Sequence, residues 1–246
     1  MAEPHETPKP EGKRTIAGQI EAKLRHDILH GTLAPSTKLN LDQLRETMGV
    51  GLSPLREAVT RLVSDGLLEV AAQRGYSVTP ASVANLDEVG ALRIELEPYA
   101  LRKAIANGGL EWETAVMGAL YRLNKTDRIA GNSDSLAQWE AANEAFHYTL
   151  IARCDMPLLL KMYRSLVSLS GRYRHIYLKT ATIQRDVVAE HTAIAEAAVE
   201  RRADEAAALL SQHIRNSTRN LRRLIVADLP AQAPDTTSET APQDDI

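Results

Sequence analysis

The chain has 246 residues, 25% of them charged and 44% apolar, a balance that suits one large or two modest globular domains and excludes a collagen, a disulfide scaffold or a wholly disordered chain. A formal net charge of -3 leaves any case for nucleic acid to the arrangement of charges rather than their total. The single cysteine, Cys154, forms neither an internal disulfide nor a thiolate metal cage and fits a reducing cytoplasm. No apolar run approaches the roughly 18–20 residues of a membrane helix, and the opening MAEPHETPKPEGKR has no apolar core, so it does not read as a secretory signal.

Residues 1–12 are rich in Pro, Glu and Thr without an apolar period and read as a mobile arm. Residues 13–80 follow, with nine Lys/Arg against seven Asp/Glu. In residues 15–30, Ile16, Ile20, Leu24 and Ile28 recur at helical spacing; Gly31 ends that helix and Pro35 prevents its restart. Asn40 introduces a short helix bearing Leu41, Leu44 and Met48, stopped by Gly49. Gly51 and Leu52 then read as a tight turn, Ser53 as an N-cap and Pro54 as the first residue of a third helix that turns Leu55, Val59 and Leu62 inward. Two short strands, 67–70 and 76–79, flank a turn containing Arg74 and Gly75.

Three short helices and a β-hairpin make a winged helix-turn-helix. In such a motif the third helix enters the major groove by its N-terminal end. Ser53 would then bind phosphate and Arg56 a base edge or the backbone. Gly51 and Leu52 would offer backbone groups or a contact to a thymine methyl. Arg74 and Gly75 would stand at the wing tip, the arginine suited to the minor groove. The plainer alternatives are a small packing module and, for Arg56, a surface ion pair with Glu57.

Pro80 and the cap candidate Ser82 mark a join. Residues 83–229 read as an all-α bundle, with helices near 83–107, 110–129, 133–153, 157–180, 185–202 and 204–229. Pro98 should kink the first, Ser133 or Asp134 caps the third, and Pro157 opens the fourth. Residues 230–246, with four acids and no base, read as a disordered tail. Within the bundle Asn143 and His147 are four apart and share a helix face. His191 and His213 flank the break near 201–204 at about equal distance, so an antiparallel pair brings them to about one height. Three imidazoles with an Asn beside them suit a divalent ion such as Zn, Ni or Cu, or Mn with extra oxygen ligands. A metal-free anion pocket and a metalloenzyme are the other readings. No carboxylate is obviously poised as a base, since Glu144 and Glu190 should point away from the site.

The ordered series Ile28 to Leu39, Ser53-Pro54-Leu55-Arg56-Glu57-Ala58, Asp65-Gly66-Leu67 and Arg74-Gly75-Tyr76-Ser77-Val78 resembles the DNA-binding domain of the GntR family. Ser36 stands where that family usually has Gly, and Gly51-Leu52 where it often has a hydroxyl residue and a base-reading Arg. Asn143 to Leu150, Glu190 to Ile194 and His213-Ile214 resemble the metal-site motifs of the FCD effector domain of FadR-subfamily regulators, and Leu92 to Glu97 its opening helix. Asn143 stands where that domain most often has Asp. The runs 49–56, 106–113 and 172–178 are similar to the glutarate-responsive repressors of the CsiR/GlaR type, which implies a dicarboxylate effector. One carboxylate of such a ligand would complete the coordination of the metal. The other would take a guanidinium fork from Arg93, Arg172 or Arg174, with Tyr177 nearby. Arg93 could equally pair with Glu97 at i+4, and Arg172 and Arg174, two apart on a helix, cannot both point inward.

The expectation is a mainly α, cytoplasmic, homodimeric transcriptional regulator, a repressor by resemblance, that binds operator DNA through 13–80 and a small carboxylate near a metal in 83–229. The competing class is a metal-dependent enzyme of small organic acids with an accessory winged helix.

Overall fold

The computed structural model describes residues 15–71, 75–178 and 186–228. The two terminal arms and Arg74 lie outside the described residues. The first domain holds α1 (Ile16–Leu29), β1 (Lys38–Leu39), α2 (Leu41–Met48), α3 (Leu52–Ser64), β2 (Leu68–Ala71) and β3 (Gly75–Val78). Its core is apolar. Ile20, Leu24 and Ile28 of α1 meet Leu55, Val59 and Leu62 of α3 over Leu39, Leu68 and Val78 of the sheet. Thr15 caps α1 by accepting from the Gly18 N–H, and Asn40 caps α2 by accepting from the N–H groups of Asp42 and Gln43. Gly49 closes α2 in the left-handed region, at φ 63°, which lets the chain reverse into α3 within three residues.

Two sequence expectations change here, and Ser36 takes an unusual conformation. The cap of α3 is Gly51, in extended conformation without a side-chain cap bond, and Leu52 is already helical. Ser53 and Pro54 therefore sit inside the first turn, where a missing Pro N–H costs nothing because the first four are unpaired in any helix. The hairpin also gains a third strand. β1 pairs antiparallel to β3 on the side away from β2, giving the order β1-β3-β2, with Lys38 opposite Ser77 and Leu39 opposite Tyr76. Two residues are too short to show an alternating pattern in sequence. Finally, Ser36 adopts φ 63° while its N–H donates to the Val78 carbonyl at 2.9 Å. The position is thus a left-handed one, which glycine adopts more readily than serine.

The second domain is a bundle of α4 (Val83–Asn107), α5 (Leu110–Lys125), α6 (Ser133–Ile151), α7 (Pro157–Tyr177), α8 (Val187–Val199) and α9 (Ala203–Asp228). α4 runs through Pro98 as one element. α5 stops at Lys125, earlier than its apolar spacing suggested. The 126–132 connection is held instead by Ser135, which accepts from the Ile129 N–H and donates to the Asp127 carbonyl. Asn132, not Ser133 or Asp134, caps α6, its side-chain oxygen accepting from the N–H groups of Asp134 and Ser135. α4 and α9 pack so closely that a methyl group on Gly90 would come within 2.7 Å of Thr218. α8 and α9 are joined through Arg201, at φ 63°, as an antiparallel pair. Leu169 of α7 packs against the first domain's core, and α1 lies against α7. Among the described residues, no helix is long and apolar enough to cross a membrane.

Candidate functional site

In the first domain the N-terminal end of α3 is open to solvent. Gly51, Ser53 and Arg56 are exposed there and Leu52 is half-buried. Arg56 forms no ion pair among the described residues. Its neighbour Glu57 is taken by Arg61, which also reaches Glu21. The Arg56–Glu57 pair left open by the sequence is therefore not formed, and the α3 cation available to a phosphate or base edge is Arg56. Lys38 on β1 and Arg45 on α2 are exposed on the same domain. Gly75 opens β3 opposite Ala71, with open space where a side chain would be.

In the second domain three helices bring His147 (α6), His191 (α8) and His213 (α9) together, all buried. Ring centroids are 5.3 Å apart for His147–His191, 5.0 Å for His147–His213 and 4.6 Å for His191–His213. One nitrogen from each lies within 4.8 Å of the other two. The chemistry of the donor set fits a metal. Zinc–nitrogen bonds are about 2.0–2.1 Å, so the trio would hold one ion once its nitrogens drew closer together. Nδ1 of His147 is buried with no hydrogen-bond partner among the described residues, an atom a ligated ion would satisfy. Burial first, then the charge of His213, His191, Arg93 and Arg174, holds His147 well below the usual imidazole range, which keeps it neutral and able to ligate.

Glu190 does not point away. Its Oε2 accepts from Nδ1 of His213 at 2.8 Å, and its Oε1 accepts from the Asn216 amide at 3.1 Å. With Nδ1 engaged by Glu190, Nε2 is the His213 nitrogen that would ligate an ion. The 23-residue separation of the pair gave no local spacing by which to see it.

Asn143, buried one turn before His147, lines a cavity with His147 and His213. Arg93 and Arg174 line it too. At about 20 Å³ it has room for about one water-sized centre. Ser217 and Asn220 of α9 join the lining; their i+4 and i+7 spacing from His213 was the sequence signal for them. Arg93 is buried and forked onto Glu97, with Nε to Oε1 at 2.5 Å, and its Nη1 donates to Ser170 Oγ at 2.9 Å. The i+4 pair is thus formed, and it stands at the cavity wall. Arg174 donates from Nε to both oxygens of Glu140, at 2.9 and 2.8 Å, and from Nη1 to the same Ser170 hydroxyl at 3.0 Å. Two guanidinium groups therefore meet at one serine beside the histidines.

Arg172 and Tyr177 are not brought to this cavity. Arg172 turns to the opposite side of α7, where it donates to the Thr79 carbonyl at the domain join. Tyr177 packs on the cluster of Leu86, Tyr173 and Leu221. Helix geometry is the reason: a 100° step per residue puts positions 172 and 174 on different faces, and although both side chains are buried, only that of 174 lines the cavity.

Residues 16–78 match the family of bacterial regulatory proteins called gntR, and residues 88–216 match the FCD domain. A protein named "Uncharacterized HTH-type transcriptional regulator BphR" from Paraburkholderia xenovorans (strain LB400) is 34% identical over 213 residues, 85% of this chain and 87% of that protein. The HTH-type transcriptional repressor GlaR of Escherichia coli (strain K12) is 31% identical over 195 residues, 78% of this chain and 89% of that protein. Among solved structures, E. coli McbR/YncC superposes with a TM-score of 0.70 at 24% identity, covering 86% of this chain and 99% of that one. With these matches, the competing enzyme reading falls away. The chain is a DNA-binding transcriptional regulator of the gntR family, with a winged helix-turn-helix followed by an FCD domain.

Proposed function

We propose that this regulator is a cytoplasmic, homodimeric repressor whose hold on its operator is set by a short dicarboxylate, glutarate first among them, bound beside a divalent metal in the bundle. The observation that carries this reading is a trio of buried imidazoles, two of which, His147 and His213, line one cavity with the guanidinium groups of Arg93 and Arg174. His147, His191 and His213 would hold Zn, Ni or Mn, with the Asn143 amide oxygen as a further ligand. When bound, the metal supplies a fixed positive charge and a coordination position for a carboxylate. All four of these protein ligands are neutral, so the ion's charge is left for an anion to balance. Asn143 in place of Asp strengthens that dependence on the ligand.

Arg93 or Arg174 then takes the second carboxylate, because a buried carboxylate without a partner carries a cost of at least a few kcal/mol. The cavity's present size means that a diacid enters only as these side chains leave their current partners. Arg56, Ser53, Gly51 and Leu52, with Arg74 and Gly75 of the wing, form the operator-reading surface. The name of the E. coli relative, a repressor, supports repression as the sign of control.

The test joins metal analysis to calorimetry. His191→Ala and His213→Ala should lower metal content while leaving operator binding in place, and the parent should bind glutarate far more tightly than valerate, its monoacid analogue. Equal affinity for the two acids would remove the two-ended grip, and full metal occupancy in the double variant would remove the three-histidine site.

A further inference from the structure

Arg174 stands between two cavities. On one side it lines the histidine cavity; on the other, it and Glu140 form part of the wall of a cleft of about 500 Å³. The far wall of that cleft belongs to the DNA-binding domain: Arg25, Leu29 and His30 of α1 and Asp65 at the end of α3. The residue after Arg174, His175, lies against His30 with ring centroids 4.2 Å apart. A single guanidinium thus belongs to the effector cavity and to the seam on which the DNA-binding domain rests.

Its present bonds face a choice. Nε serves both oxygens of Glu140, and Nη1 serves Ser170, which Arg93 also uses. One edge of a guanidinium grips one carboxylate bidentately at a time, and it is the Nε edge of Arg174 that serves Glu140. A ligand carboxylate that takes that edge takes it from Glu140, and a buried carboxylate stripped of its cation must find another. On the first-domain wall of the cleft stands the guanidinium of Arg25, now shared by Glu21 and Asp65; Lys161 and Arg164 of α7 line the same cleft, and Arg128 also acts on Glu140. Arg93 has no such reach. Its partner Glu97 lines neither cavity, so a ligand that takes Arg93 changes nothing at the seam.

We propose that a carboxylate bound in the histidine cavity draws Arg174 off Glu140, and that the released Glu140 carboxylate resets how α1 docks against α7. Arg174 is then the link between the effector site and the DNA-binding domain, and Arg93 is a grip alone. This rests on the carboxylate reading above.

The probe is glutarate, added to zinc-loaded protein, with binding to the duplex upstream of its own gene read by fluorescence anisotropy. Saturating glutarate should shift parent operator affinity by about tenfold, within the usual range of coupling between sites. Glu140→Gln should bind glutarate at least as tightly, since no anion competes for Arg174, yet its operator response should fall below about twofold. Glu97→Gln should keep the parent's response at saturation. On the parent itself, glutarate should raise amide hydrogen exchange in residues 25–30 of α1, a readout that needs no variant to fold. Parent protein that takes up no glutarate overturns the carboxylate reading and this link together. Glutarate binding with unchanged exchange in 25–30, or with an undiminished response in Glu140→Gln, overturns the link alone.

Discussion

In the winged-helix domain the buried side chains are Ile20, Leu24, Ile28, Leu55, Val59, Leu62 and their like, with Ser77 the polar exception, and charges stand outside in pairs such as Arg61–Glu57. In the bundle, Arg93, Glu97, Glu140, Arg174 and three histidines are buried at 6% exposure or less. The difference is one of alternatives. An apolar core has one good packing, so perturbing it only loses contact. A buried network of charges has several discrete pairings, and a ligand that competes for one member selects another. The domain that reads DNA is built to hold a shape, and the domain that senses is built to change partners.

The largest test of that contrast is to remove one charge of a buried pair. Arg93→Ala leaves Glu97 buried without its cation and should cost about 3–5 kcal/mol in urea unfolding. The sequence allowed a slight effect if Arg93 were only the partner of Glu97, but burial of both groups makes the loss large. A cost under about 1 kcal/mol would mean that water reaches this network, and the contrast between the cores would fail.

On the other side of the comparison, an exposed cation on a rigid frame should act on binding and not on stability. Arg56→Ala should weaken operator binding by about 1–3 kcal/mol at fixed salt and leave the melting temperature in place. Arg61→Ala, already engaged by Glu57 and Glu21, should weaken it less. Anisotropy titrations of the two variants side by side decide the ranking.

These two regions also differed in how far the sequence disclosed them. Helical periodicity placed α1 to α4 and the antiparallel α8–α9 pair, and so brought His191 and His213 to one level, because those signals are local. The Glu190–His213 bond, the Arg174–Glu140 pair and the shared Ser170 join residues from different helices, and nothing in local spacing states which charged residue meets which across a bundle. Caps failed at α3 and α6 for a related reason. Gly51, Ser53, Asn132, Ser133 and Asp134 are all acceptable cap residues, and the choice among them depends on how the incoming loop is held. Ser135 decides it for α6 by tying down the 126–132 connection.

A smaller effect lies at the seam between the domains. His175 is held at about 4 by burial first, then by His30, Arg174 and His26. An imidazole with a depressed folded value binds fewer protons folded than unfolded. The stability it carries is complete above about pH 6.5, the unfolded value, and is lost as pH falls from there to about 4. Solvent screening at this half-buried ring limits the loss to about 1 kcal/mol. Unfolding midpoints at pH 7.5 and pH 5 should separate further for the parent than for His175→Asn. His147, depressed in the same direction, is common to both proteins and cancels. An equal pH dependence in the two would assign the acid sensitivity to the bundle alone.

The smallest effect concerns two left-handed residues, one in each domain. Ser36 and Arg201 both sit at φ 63°, a conformation that costs a residue with a Cβ roughly 1–2 kcal/mol. Ser36 is exposed and its hydroxyl makes no hydrogen bond among the described residues, so Ser36→Gly removes strain and little else. The added freedom of glycine in the unfolded chain offsets part of the gain, leaving about 0.5 kcal/mol. Arg201 carries the same φ, but its guanidinium donates to the carbonyls of Ile105 and Gly108 and to Glu113, tying the α8–α9 turn to α4 and α5. Arg201→Gly relieves the same strain while cutting those ties, and should destabilise. Ser36→Ala keeps the strain and should leave stability near the parent's. Thermal melts of the three variants therefore have a predicted order, Ser36→Gly above Ser36→Ala above Arg201→Gly. If Arg201→Gly melts above the parent, the polar ties of the bundle hold less than its burial suggests, and strain alone governs both sites.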